Sequence, residues 1–200
     1  MSEEEWTTDR IDMTPPQPVI IPKGILENKT FEDYFWRWYG FVIPDKQAIE
    51  IIKHFTEGLS ILEIGAGTGL FAKLLQNNDV DITPTDLLPP IYTKNWYRRF
   101  WTDVESLDAI EAVEKYTDVD ALMVVWPHLD EVWCKALQKY KGDKLIYVGD
   151  SAPDDFHKEL EKNWEFVLNK EMNTFPTNHH FTEHELKTPT LHLLKRKEKE

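Results

Sequence analysis

Short apolar runs alternate with amphipathic stretches along most of this chain. Seven segments have the length and composition of strands: Ser60–Ile64, Val80–Thr85, Phe100–Val104, Ala121–Pro127, Lys144–Asp150, Trp164–Met172 and Thr190–Lys195. Ser60–Ile64 has a single acid and Ala121–Pro127 has no polar residue at all, as expected for parallel strands covered on both faces. Between the strands, apolar positions recur at helical spacing. Ile49, Ile51, Ile52 and Phe55 follow Asp45, a natural N-cap; Leu70, Leu74 and Leu75 form a second set. Ala109, Ile110, Ala112 and Val113 lie within Asp108–Tyr116, and Trp133, Ala136, Leu137 and Tyr140 precede a stop at Gly142. A last helix is predicted over Asp154–Leu160, after Pro153. Strands alternating with helices point to an α/β fold built on a parallel sheet.

The organisation before Ser60 differs. Residues 1–28 carry Pro15, Pro16, Pro18 and Pro22 and read as an extended arm, whose Val19-Ile20-Ile21 patch is able to dock on the rest. Residues 29–58 read as an N-terminal helical cap with five rings between Phe31 and Trp38, followed by the break Tyr39–Pro44. Residues 59–196 form the α/β core, and 197–200 a charged tail. A chain of 200 residues with 12% aromatic content has the material for one core. The net charge of −13 disfavours attraction to nucleic acid phosphates, and Arg98-Arg99 alone does not reverse that.

Candidate chemistry centres on Gly65-Ala66-Gly67-Thr68-Gly69, between the first strand and the second helix. Glycines at alternate positions let the backbone turn tightly and approach a ligand, at the end of a strand where open α/β sheets bind nucleotides. A P-loop requires Gly-Lys-Ser/Thr, but Leu70-Phe71 follow here. The dinucleotide fingerprint places its third glycine three residues after the second; that position is Leu70, and the glycine comes one residue early. Asp86, at the end of the second strand, is positioned to accept hydrogen bonds from ribose hydroxyls.

Glu63-x-Gly65-x-Gly67-x-Gly69 resembles the first motif of the class I S-adenosylmethionine-dependent methyltransferases. The resemblance covers about residues 40 to 195 and implies a Rossmann-like three-layer sandwich, with a mostly parallel seven-stranded sheet whose last strand is antiparallel. It implies S-adenosylmethionine as cofactor, held by Glu63, Gly65, Ala66, Gly67, Gly69 and Asp86. Asp103 matches by order the acid that contacts the adenine amino group, with Glu105 and Asp108 competing. In amine-directed members the fourth strand ends in Asn- or Asp-Pro-Pro-aromatic; here Trp126-Pro127-His128-Leu129 keeps only the first proline. A ring at Trp126 can stack on adenine or a planar substrate but accepts no amine proton. His128 is the better general-base candidate, and Asp150 joins it at the end of the fifth strand. Together with Gly40–Pro44 and Tyr140–Gly149, these motifs resemble a group of uncharacterised methyltransferase-like proteins, which bears on the fold and names no substrate.

The expected function is methyl transfer to an unidentified acceptor, a small molecule in preference to nucleic acid. The alternatives are a non-catalytic methyltransferase-like binding domain and, after it, an NAD-dependent oxidoreductase. Cys134 is the single cysteine, so no internal disulfide forms. The acidic start Met1–Glu5 lacks signal-peptide features and no run reaches membrane-span length, which sets the expectation of a cytoplasmic or nuclear protein. His179, His180 and His184 lack the partners of a zinc site and read as a rim cluster, with no metal expected.

Overall fold

The computed structural model describes residues 42–87, 100–127, 131–149, 153–172 and 189–198. The arm at 1–28, most of the aromatic cap, Arg98-Arg99, His128, Asp150 and the histidine cluster fall outside these residues.

The described residues form helices α1 (Lys46–Phe55), α2 (Leu70–Gln76), α3 (Ala109–Lys115), α4 (Val132–Lys139) and α5 (Asp154–Asn163). The strands are β1 (Ser60–Ile64), β2 (Asp81–Asp86), β3 (Glu105–Ser106), β4 (Ala121–Val125), β5 (Lys144–Gly149), β6 (Trp164–Glu171) and β7 (Thr190–Arg196). They make one seven-stranded sheet in the order β3-β2-β1-β4-β5-β7-β6. β1 pairs in parallel with β2 and β4, and β2 with β3 and β4 with β5 likewise. β7 runs antiparallel to both of its neighbours, which leaves six strands pointing one way and the last pointing the other. The order reverses beside β1, because β2 lies on one side of it and β4 on the other. That is the switch point at which open α/β sheets bind ligands.

Helices cover both faces. Ile61, Ile82, Met123, Ile146 and Leu193 pack beneath α1 and α2. The alternate residues Leu62, Ile64, Leu122, Val124, Leu145 and Leu194 pack against α3, α4 and α5. This period of two, with both sets apolar, is the reason the strands read as continuous hydrophobic runs. Each fully buried Leu or Ile contributes about 1.5–3 kcal/mol, so the central strands supply much of the stability.

Local chemistry sets the helix starts. Asp45 Oδ1 accepts the Ala48 N–H at 2.7 Å, confirming the predicted cap. Asp108 lies outside α3 as its N-cap and forms a capping box with Glu111. The third strand departs most from expectation. Phe100–Val104 is not strand, and the pairing starts only at Glu105. Trp101 N–H instead donates to Thr68 O at 2.9 Å and Thr102 Oγ1 bonds Gln76 Oε1 at 2.9 Å, which draws this stretch over the glycine turn and α2.

At the opposite side, β7 is locked to the α5–β6 corner by Arg196. Its guanidinium lies 4.3 Å over the Trp164 ring and donates to Tyr140 O (2.7 Å) and Gly142 O (2.8 Å). Arg196→Ala is predicted to cost about 2 kcal/mol of stability, from the lost cation–π contact and charged hydrogen bonds. Urea denaturation checks this, and an unchanged midpoint would reject the assigned role.

Candidate functional site

The turn after β1 holds its shape through three left-handed glycines: Gly65 at φ +70°, Gly67 at +57° and Gly69 at +72°. Side chains rarely adopt this region, so glycine is required here by backbone geometry alone. Two of the three also have no room for a Cβ. An added carbon at Gly65 would lie 2.5 Å from the Trp133 ring of α4. At Gly69 it would meet Val104 and Thr102 at 2.9 and 3.0 Å. The space expected to admit a ligand at these two positions is thus filled by the protein itself.

Hydrogen bonds tie the turn to β2. Ala66 N–H donates to Thr85 O, and Gly69 N–H donates back to Ala66 O, each at 2.9 Å. Thr85 Oγ1 donates to Glu63 O at 2.9 Å. Gly67 N–H donates to Asp86 Oδ2 at 2.7 Å. One oxygen of Asp86 therefore orients the glycine turn, and the other is left for a further donor at the carboxyl end of the strand. The next residue, Leu87, is 60% exposed and offers an apolar surface beside that carboxylate. Leu87 was not singled out from the sequence, since a Leu-Leu pair before two prolines carries no signal by itself.

Glu63 lies beneath the turn, 1% exposed, with Oε2 lacking a hydrogen-bond partner. Thr68 Oγ1 is likewise buried without one. Glu63 faces Pro84 across the β1–β2 pair, so Asp86 is its diagonal neighbour on the same face. Burial pushes the Glu63 carboxyl up to about 8; the Asp86 charge adds to the rise, and the Ala72 N–H opposes it. Burial raises Asp86 to about 6 against the Gly67 N–H. Glu63, expected to help hold the cofactor, is thus an interior group influenced by the Asp86 charge and the Ala72 N–H of α2.

The three acids considered for the adenine contact separate clearly. Glu105 is held by Lys115 and by Tyr116 Oη, and Asp108 Oδ1 is taken up by the Ile110 and Glu111 N–H groups. Asp103 is exposed, but it precedes β3, because the strand begins at Glu105, five residues after the expected start at Phe100.

Trp126 ends β4 with φ +55°, an outlier for a bulky side chain. Its N–H donates to Val148 O of β5 at 2.7 Å. Val125 and Trp126 both pack against the α1–α2 cluster, which no regular strand permits for consecutive residues. The left-handed turn swings the indole onto the face that carries Glu63. Trp126, Gly67 and Asp86 thus follow the carboxyl ends of β4, β1 and β2, neighbouring strands. His128 and Asp150 lie outside the described residues, and Cys134 is buried with Sγ against Asp155 O (3.5 Å). Among the described residues no helix is long and apolar enough to cross a membrane, and no group of three or more His, Cys, Asp and Glu is arranged to hold a metal ion.

Two variants probe this geometry. Gly65→Ala is expected to lose about 2–3 kcal/mol through left-handed strain and the Trp133 overlap, with partial recovery on adding Trp133→Leu; denaturant midpoints check both. Glu63 and Asp86 have folded values above their ordinary 4.5 and 3.8. Their contribution to stability is therefore fully present below about pH 4 and is lost as pH rises through about 6 and about 8. Glu63→Gln, which keeps the shape and removes the charge, should flatten the fall between pH 6 and 9 in urea titrations. An unchanged slope would contradict the buried-acid assignment.

No family model matches the chain, and no curated protein matches it. Solved structures do match, at low identity. Magnesium protoporphyrin IX methyltransferase from Synechocystis PCC 6803, solved with S-adenosylmethionine bound, is 10% identical with a TM-score of 0.50, over 76% of this chain and 79% of that one. A candidate tRNA (m1A22) methyltransferase from Streptococcus pneumoniae is 13% identical with a TM-score of 0.51, over 79% and 72%. A protein of the NADB-Rossmann superfamily from Streptococcus agalactiae is 14% identical with a TM-score of 0.52, over 77% and 69%. With its seven strands, six parallel and the last reversed, the chain has the class I methyltransferase-like fold.

Proposed function

We propose that the protein is an S-adenosylmethionine-dependent methyltransferase acting on a small-molecule acceptor. The observation that carries this reading is the Asp86 carboxylate at the sheet's switch point, oriented by Gly67 N–H at 2.7 Å. It is a fixed acceptor at the position where a nucleoside's ribose hydroxyls would donate. The residues suit that group in a second way. Two acids with no cation paired to them among the described residues favour a positively charged ligand and disfavour a pyrophosphate. In a dinucleotide site a turn amide such as Gly67 N–H would be free for phosphate, but here it is given to a carboxylate. This counts against the nicotinamide alternative.

When bound, the cofactor supplies a methyl group already activated on a sulfonium. The protein's task is then chiefly to orient donor and acceptor, so no acid–base pair is obligatory. Asp86 holds the ribose, the Gly65–Gly69 turn shapes the floor, and the Trp126 indole lines the β4 side. His128 and Asp150 are the proposed bases for an acceptor that must lose a proton. The acidic net charge of −13 supports a small molecule over a nucleic acid. Trp126 at the position of the usual polar residue favours one second reading, a domain that binds the cofactor and transfers nothing.

Calorimetry with S-adenosylhomocysteine tests the proposal. Micromolar binding is expected for the native chain, with at least a tenfold loss in Asp86→Asn and no comparable affinity for NAD. Absence of heat with S-adenosylhomocysteine would reject the proposal. Transfer of label from methyl-labelled cofactor to fractions of small molecules then separates the enzyme from the binding-only domain.

A further inference from the structure

Near the glycine turn, Glu63 and Asp86 lie diagonally on one face of the sheet, and among the described residues no cation is paired with either. Glu63 is the more demanding of the two. It is 1% exposed, at the penultimate position of the central strand β1, and its Oε2 has no hydrogen-bond partner among the described residues. A buried carboxylate left in that state costs several kcal/mol, so such groups carry a proton unless a cation arrives.

The surroundings leave little to supply that cation. Across β1–β2 the face holds Pro84 and then Asp86, and across β1–β4 the residue opposite Glu63 is Met123. On α2 the one ionisable residue is Lys73; the group acting on Glu63 from that helix is the Ala72 amide. On α1 the buried positions are Ala48, Ile49 and Ile52; Glu50, Lys53 and His54 are exposed, and the half-buried Lys46 is paired with Glu50 at 3.8 Å. From the stretch drawn over the turn, Asp103 is exposed and adds, if anything, negative charge. Among the described residues, then, Asp86 is the charged side chain that acts on Glu63.

Resting on the cofactor reading above, we infer that the pocket binds its nucleoside cofactor with release of a proton from the Glu63–Asp86 pair, and that this makes it selective for a cationic ligand. With no ligand bound, Glu63 keeps its proton in the interior, and Asp86 keeps its bond to Gly67. A bound sulfonium or ammonium replaces that proton as the balancing positive charge. Donation by ribose hydroxyls to Asp86 lowers its proton affinity further. The raised titration of both groups agrees with this arrangement, which rests on the burial of Glu63, its unpartnered Oε2 among the described residues and its place diagonal to Asp86 on one sheet face.

Such linkage has a definite sign. Binding that expels a proton strengthens as pH rises and levels off once the pair is ionised in the empty protein. A neutral nucleoside such as adenosine gains the ribose contribution alone and should depend less on pH.

The experiment is titration calorimetry of the native chain with S-adenosylmethionine at pH 6.5, in phosphate and in a buffer of high ionisation enthalpy such as imidazole. At this pH the cofactor's α-amine, with an ordinary pKa of about 7.7–8.0, is already charged, so released protons come from the protein. The expected result is release of roughly one proton per ligand bound, with affinity rising several-fold per pH unit from 5.5 to 8. Glu63→Gln should abolish most of the release, and circular dichroism establishes that the variant folds. If the variant fails to fold, the proton count on the native chain decides alone. Binding with the same heat in both buffers and a flat pH profile overturns this inference and leaves the cofactor reading standing. No binding at any pH overturns both.

Discussion

The site depends on one hydrogen bond: Gly67 N–H to Asp86 Oδ2, 2.7 Å, joining the loop after β1 to the end of β2. It sets the orientation of the carboxylate and of the turn together, so neither is adjustable without the other. The parallel pairing of β1 with β2 brings the two to the same height, and Ala66 N–H to Thr85 O holds the register next to it. A charged acceptor on a backbone N–H is among the stronger hydrogen bonds a fold can form, and its low surroundings strengthen it further.

Around that bond the protein is packed closely on every side that is described. The glycine loop is pressed by Trp133 from the α4 side and by Thr102 and Val104 from the stretch before β3. These contacts shift the meaning of Gly65 and Gly69, whose missing side chains serve protein packing. Glu63 lies on the same sheet face as Asp86, buried in the interior, where the Asp86 charge acts on it.

Trp126 shows strain at the same edge of the sheet. A left-handed conformation in a bulky residue immediately before proline costs of order 1–3 kcal/mol, and such residues gather at functional sites. Two contacts hold it there: the N–H bond to Val148 O and the packing of the indole on the α1–α2 side. The consequence is a ring on the same face as Glu63, where regular alternation would have sent it to the opposite helices.

Periodicity in the sequence was enough for most of the sheet, its helices on both faces and the N-cap at Asp45; Asp108, expected as the first helical residue, is instead the cap of α3. Each is decided by local spacing of apolar positions or by a side chain reaching its own backbone. The Gly-x-Gly-x-Gly turn was legible for the same reason, as was Asp86 at the end of a strand. What was not legible depends on neighbours far apart in the chain. Phe100–Val104 has strand composition, yet its backbone is claimed by Thr68 and its Thr102 by Gln76, partners more than twenty residues away. Trp133 against Gly65, the diagonal placement of Glu63 and Asp86, and the reversal of the Trp126 side chain likewise arise only when strands are laid side by side. Local physics selects the elements; the pairing of distant strands decides which charges meet, and that meeting gives the pocket its chemistry.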